Sequence, residues 1–410
     1  MGVTRFAAVV AALTLTACGT TTTSSAPATS MPATTESSVS QSDPGTGQDQ
    51  RTTSTTSSPH RSTTTTATTT APSTSGPPIV VPATTTTTTT ATTTTATTAP
   101  PSTQPVFAAT EAAFETLAAA NRAASLTVLR DGQPVVARAS GRTIDGNPAR
   151  PDSPMVVASL SKLVTALVIA RLDQRGAVDI DAPVPWGELG IATHPAWSDV
   201  TVRELLDHRS GMPVVRSSWF DGSGDCASFV PTILTTSPTD TRGTWRYSNG
   251  NYCALGLLAA QRGGAPLDEL ARELVFEPLG LRGPHLTKNG QEPTDIGYSL
   301  GVGRFDRLGG AGGFIASTSD LAGALATMSA DDRLSMTWPG VMTDQYGWGH
   351  TGTVDGAKAC AWSLEGGRTV AVAAIAGNAP GSGGAVCDQI VPAVAADLGL
   401  GAGPPDRTPA

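Results

Sequence analysis

Three short stretches of this chain carry residue types that could do chemistry: Ser159-Leu-Ser-Lys162, Tyr247-Ser-Asn249 and His350-Thr-Gly-Thr353. In the first, a hydroxyl and an amine stand three residues apart, which on a helix places them on one face, one turn from each other. A serine hydroxyl is a poor nucleophile until a neighbour accepts its proton. An amine held partly out of water can accept it, or can lower the pKa of another base. A helix N-terminus beside the serine adds positive partial charge near the reacting oxygen. In the second stretch, a phenol two residues before an amide points to the same side if the backbone is extended. The phenol can shuttle a proton if nearby cations hold it ionised, and the Asn249 amide can hold a substrate carbonyl. In the third, Gly352 lets a substrate backbone come close, and the N–H of Thr353 with that of Ser159 could form an oxyanion hole.

Each motif alone is weak. An S-x-x-K arises often by chance as a helix cap followed by a surface lysine, a lone Tyr-x-Asn is a core tyrosine and a turn asparagine, and a lone strand histidine is usually a hydrogen-bonding residue of the fold. The elements around them strengthen the case. Residues 158 to 175 are apolar on nearly every side (Leu160, Val164, Leu167, Val168, Leu172) and end at Gly176, which predicts a buried central helix with Lys162 inside it. Before it, Ala113, Phe114, Leu117 and Ala120 at helical spacing predict a helix over 111–120, followed by a β-hairpin over 125–130 and 134–138. The section from Val200 to about Leu281 reads as mainly helical. A strand through His350, a second hairpin over 357–363 and 369–376, and a closing helix over 386–398 complete the domain. Strands at both ends around a helical insert predict an α/β (α+β) fold, with an antiparallel sheet whose first and last parts meet and a helical lobe.

In this order, S-x-x-K, Y-x-N and H-T-G resemble the serine β-lactamase and penicillin-binding-protein family, in the branch of class C β-lactamases and D-alanyl-D-alanine carboxypeptidases. Supporting stretches match as well: Val200 to Pro213, with its Leu-Leu-Asp-His-Arg-Ser-Gly run, Phe276-Glu-Pro-Leu-Gly280, and Gly312 to Asp320. The resemblance implies a β-lactamase/transpeptidase-like fold over 108–400. It implies Ser159 as nucleophile of an acyl-enzyme, with Lys162 and Tyr247 sharing the proton transfers, and Asn249, His350, Thr351, Gly352 and Thr353 holding substrate. It also makes His208 a structural residue. His350 stands where class C β-lactamases carry lysine, so weaker recognition of an antibiotic carboxylate is expected. The interval from Tyr247 to His350 looks short for the family, which would remove part of a pocket wall. The function implied is D-alanyl-D-alanine carboxypeptidase-like hydrolysis of peptidoglycan stem peptides. A carboxylesterase or β-lactamase-like hydrolase of small acyl substrates is the alternative, and a non-catalytic binding domain the reading of a different class.

Ahead of this domain, Arg5, an apolar run from Phe6 to Leu15 and Leu15-Thr-Ala-Cys18 have the order of an export signal over 1–17. The run is too short to span a bilayer. Cys18 resembles the lipidated cysteine of a bacterial lipobox, which would place the protein on the extracytoplasmic face of the cell membrane by a lipid anchor. Residues 18–107 form a Thr/Ser/Pro-rich tether: from Gly19 to Val106 there is no Phe, Tyr or Trp, so the segment cannot bury enough apolar surface to offset ordering. As a coil of roughly 88 residues it would reach on the order of 50 Å, either as an O-glycosylated stalk or as an unmodified spacer. Residues 401–410 are read as a disordered tail. The chain of 410 residues carries a net charge of −8, which excludes nucleic acid as a natural partner. Beyond Cys18 there remain Cys226, Cys253, Cys360 and Cys387, without metal-type spacing, and no cofactor is called for. In an oxidising compartment they predict two disulfides. Three connectivities are possible, and Cys226–Cys253 with Cys360–Cys387 is favoured because it keeps each bridge within one lobe.

Overall fold

In the computed structural model, the described residues are 106–214, 224–297, 305–329, 342–377, 381–401 and 408–409. The segments read as leader (1–17), lipidated Cys18, nearly all of that read as tether and most of that read as tail (401–410) lie outside them, as does part of the interval between Tyr247 and His350.

The chain opens with helix α1 (Ala108–Ala120) and a hairpin of β1 (Ala123–Arg130) and β2 (Gln133–Ser140). It closes with β6 (Met342–Asp344), β7 (Gly347–Val354), β8 (Ala357–Leu364), β9 (Thr369–Ala376), helix α9 (Gly383–Asp397) and β10 (Thr408–Pro409). These strands make one antiparallel sheet in the order β10-β6-β7-β8-β9-β1-β2. The two ends of the domain meet where β1 pairs β9, with Ala123 opposite Ala376 and Arg130 opposite Thr369. Both β8 and β9 are buried along their whole length, as strands covered on two faces must be. One face carries α1 and α9 over Phe114, Leu126, Trp362 and Ile390.

The helix α1 starts at Ala108, three residues before the predicted start at Glu111, because the Asp397 carboxylate accepts the N–H groups of Ala109 and Thr110 and the Thr110 hydroxyl. This satisfies helix N-terminal donors from the far end of the chain, a partner that no local pattern could reveal.

Against the opposite face packs α8 (Thr318–Ser329), and beyond it the helical lobe is built on α2 (Ser161–Gln174). Eleven of the fourteen residues of α2 are buried, so it runs through the core, and Gly176 at φ 71° ends it in the left-handed conformation that favours glycine. Around α2 stand α3 (Val202–Leu206), α4 (Cys226–Leu234), α5 (Asn249–Gly263), α6 (Leu267–Ala271) and the short turn α7 (Gly309–Gly312). A second sheet, in the order β3-β5-β4, consists of β3 (Met155–Val156), β5 (Phe314–Ala316) and β4 (His285–Leu286). Its strands are too short to show as alternation in the sequence, yet β3 leads directly into Ser159.

The disulfides have the favoured connectivity. Cys226–Cys253 ties α4 to α5 with Cα atoms 5.0 Å apart, and Cys360–Cys387 ties β8 to α9 at 5.1 Å. Each spans 27 residues, a loop whose closure entropy is worth about 3–4 kcal/mol in the chain-entropy model.

Candidate active site

Ser159 sits on a 3-10 turn, Ala158–Leu160, two residues ahead of the first residue of α2. This differs from a serine inside an α-helix, and the cause is the backbone before it: Ala158 is at φ 49°, a left-handed conformation costing about 1–2 kcal/mol in an L-residue with a side chain. Ser161 holds the kink. Its hydroxyl donates to the Ala158 carbonyl (2.6 Å) and accepts the Phe314 N–H (3.0 Å), joining the turn to β5. In the S-x-x-K pattern Ser161 is one of the two unspecified positions.

Lys162, in the first turn of α2, has no exposed surface. Its Nζ lies 2.8 Å from Asn249 Oδ1, 2.5 Å from the Ala311 carbonyl and 3.3 Å from Ser159 Oγ. Burial away from water holds its pKa well below the usual lysine value. A neutral amine has two hydrogens and one lone pair. With the hydrogens donated to Asn249 and Ala311, the lone pair is left for the Ser159 proton. The Ala311 carbonyl, supplied by α7, is a second contributor that no motif marked.

Tyr247 lies on the other side of the nucleophile, with its O–H donating to Ser159 Oγ at 2.9 Å. An ionised phenol would need nearby cations to hold it. Burial instead pushes the Tyr247 pKa up to about 12, so the phenol keeps its proton, even with Lys162 Nζ 4.9 Å from its ring centre. Asn249 is the first residue of α5, whose N-cap Ser248 has extended backbone and a side chain accepting the Gly250 N–H. Asn249 uses Oδ1 on Lys162, which leaves its Nδ2 hydrogens for a bound acyl carbonyl.

The strand β7 closes the site from the sheet side. His350 is 4 % exposed and its ring centre is 6.1 Å from that of Tyr247. Its Nδ1 lies 2.7 Å from the Thr351 carbonyl, which can only accept, so Nδ1 carries the hydrogen. Burial, reinforced by the nearby Lys162, pulls its pKa down to about 4, and the imidazole is neutral in the physiological range. Gly352 is needed for a different close approach from the one expected. A β-carbon there would overlap the Val157 carbonyl oxygen and touch Ala158, so the space goes to the backbone that carries Ser159. The Thr353 hydroxyl is engaged by α9, accepting the Gly383 N–H at 2.7 Å. What Thr353 can offer an oxyanion is its backbone N–H. Thr351, next to Cys360 across the ladder, is half-buried.

All three motifs therefore converge around one hydroxyl, with a buried amine on one side and a protonated phenol on the other. That is the equipment for acyl transfer through a serine ester. A model of the β-lactamase family matches residues 110–393, and the chain belongs to this family. Its fold is that of β-lactamases and penicillin-binding proteins. Among curated proteins, the esterase/β-lactamase LipL of Mycobacterium tuberculosis is 30% identical over 204 residues, covering 47% of this chain and 46% of LipL. The D-alanyl-D-alanine-carboxypeptidase/endopeptidase AmpH of Escherichia coli is 29% identical over 168 residues, covering 38% and 43%. The matches thus span less than half the length of these relatives. In fold, the D-amino acid amidase of Ochrobactrum anthropi superposes with a TM-score of 0.58 at 19% identity, over 71% of this chain and 98% of the amidase.

Proposed function

We propose that this protein hydrolyses acyl substrates that are uncharged next to the scissile bond, esters or amides, through an ester on Ser159. In this scheme Lys162 takes the Ser159 proton, Tyr247 protonates the leaving group, Asn249 orients the acyl chain, and the N–H groups of Ser159 and Thr353 receive the oxyanion. The observation that carries the substrate class is His350, a neutral imidazole at the position where a cation would pair with a substrate carboxylate. LipL, named as an esterase, supports it.

The H-T-G motif and the similarity to AmpH favour a second reading, D-alanyl-D-alanine carboxypeptidase action on peptidoglycan stem peptides. A matched pair of substrates separates the two: an N-acylated D-alanyl-D-alanine with its terminal carboxylate free, and the same peptide as its methyl ester or amide. We expect kcat/KM to favour the uncharged member at least about 10-fold, the size of one charge-assisted hydrogen bond that the carboxylate would lack. Preference for the free acid would make the carboxypeptidase reading the better one.

We also propose attachment to the extracytoplasmic face of the cell membrane through lipid on Cys18. The support is the sequence order before Cys18; among the described residues no helix is long and apolar enough to cross a membrane. With Cys18→Ala the protein is expected to leave the membrane fraction, and its retention there would count against the anchor.

A further inference from the structure

His208 follows α3 at the point where a helix commonly ends in glycine, and its φ is 56°. Its neighbours make a helix-ending turn, Asp207 N–H to the Arg203 carbonyl and Arg209 N–H to that of Glu204. Glycine would take this backbone at no steric cost, so a histidine held there calls for a use of its side chain. The ring is 1 % exposed. It faces the Tyr-Ser-Asn segment, and that segment is tied to it at several points. The His208 carbonyl accepts the Arg246 N–H at 2.7 Å, and its Nδ1 receives the Ser248 N–H at 3.3 Å and the Asn251 amide at 3.0 Å. Between these ties the ring packs against Tyr247, with centres 4.7 Å apart, and against Tyr252 at 5.2 Å.

The hydrogen-bond directions fix the tautomer. Ser210 Oγ accepts the Met212 N–H and donates to Asn251 Oδ1 at 2.5 Å, so the Asn251 atom facing His208 is Nδ2, a donor. Nδ1 therefore accepts from both Asn251 and Ser248, and the hydrogen is on Nε2. That Nε2 is buried with no hydrogen-bond partner among the described residues, a costly arrangement of the kind that persists where a group serves a site. Burial also keeps the ring neutral, with its pKa well below the usual histidine value, as a double acceptor at Nδ1 requires.

We propose that His208 is a positioning residue for Ser159 acylation: its Nδ1 clamps the backbone on either side of Tyr247 and its ring sets the phenol's approach to Ser159 Oγ. This rests on the Ser159 acyl-enzyme reading and assigns His208 no contact with substrate. The clamp acts on the rate at which a folded molecule reacts, not only on how much protein folds. Asparagine is the conservative replacement, because its side-chain oxygen can stand near the Nδ1 position and it tolerates left-handed backbone. Leucine keeps the bulk and removes the acceptor.

The test is stopped-flow acylation of the purified protein by p-nitrophenyl acetate, reading the burst rate constant separately from the burst amplitude. The amplitude counts competent molecules and the rate constant describes them. With His208→Leu we expect the rate constant to fall about 10- to 100-fold, the scale of a misplaced catalytic group. His208→Asn should return to within about 5-fold of the parent. A merely structural residue would lower amplitude and Tm and leave the rate constant in place; that result, or an asparagine variant as slow as leucine, overturns the proposal. Should His208→Leu not accumulate, Ser210→Ala decides, since it frees the Asn251 amide while leaving His208 in place. There we expect about 3- to 10-fold slowing, and an unchanged rate overturns the clamp. Failure of the acyl-enzyme reading itself would look different: the parent would show no burst that Ser159→Ala removes.

Discussion

Replacing Lys162 with methionine is expected to slow acylation of Ser159 by about 10²- to 10⁴-fold, the usual contribution of a positioned general base. Arginine at the same place should do no better than methionine, because a guanidinium keeps its charge and has no lone pair to receive the serine proton. The physical reason is the count of hydrogens on Nζ. As a neutral amine, Lys162 donates to Asn249 and Ala311 and turns its lone pair to Ser159 Oγ. Once protonated, it presents a third hydrogen to that oxygen and cannot act as base. In the parent, acylation should therefore rise with pH through the depressed Lys162 pKa and level off above it. Stability should follow the same direction. An unfolded lysine titrates near 10.4, and the folded one lower. Between those values the unfolded chain binds the extra proton, so stability rises with pH across the window and is lost as pH falls through the folded pKa. Lys162→Met lacks this linkage, so the Tm of the variant minus that of the parent should grow on acidification. A pH-independent difference, or a methionine variant that acylates within about 10-fold of the parent, would remove Lys162 from the role of base.

Much of this site was legible in the sequence because motif order survives folding: Ser159, Lys162, Tyr247, Asn249 and His350 carry their chemistry in their residue types. The sheet was legible as well, since β1, β8 and β9 are eight-residue, largely apolar runs bounded by turn residues. Three kinds of feature were not. Partners distant in sequence, such as Asp397 capping α1 or the Ala311 carbonyl receiving Lys162, are backbone or side-chain groups with no local signature. The two-residue strands β3 and β4 are too short for any periodicity. The protonation states depend on burial: the same desolvation holds the Tyr247 phenol protonated, lowers the Lys162 pKa and leaves His350 neutral. His208 falls between these groups. The family resemblance of its segment implies a structural residue, and only the three-dimensional ties to residues 246–251 point to what that structure is for.

A single β-carbon at Gly352 should have the second large effect. Gly352 lies where β7 passes the turn that carries the nucleophile, and the added carbon of Gly352→Ala would overlap the Val157 carbonyl. Neither side can yield freely. Behind β7, Gly383 of α9 sits so close that its own β-carbon would overlap the Gly352 carbonyl, its N–H is bonded to Thr353, and the Cys360–Cys387 disulfide fastens α9 to β8. In front, Ala158 is already at positive φ, and its carbonyl is held by Ser161. The strain must therefore separate the Thr353 N–H from the Ser159 N–H, the two groups that would share an oxyanion. Loss of one oxyanion donor costs about 10²- to 10³-fold in kcat, and overpacking of this kind about 1–3 kcal/mol of stability. We expect Gly352→Ala to lose kcat on that scale with KM little changed and a modest fall in Tm, measured on the active-site-titrated fraction so that unfolded protein is not counted. A variant that loses stability but keeps its kcat would show that the oxyanion is received elsewhere than between Ser159 and β7.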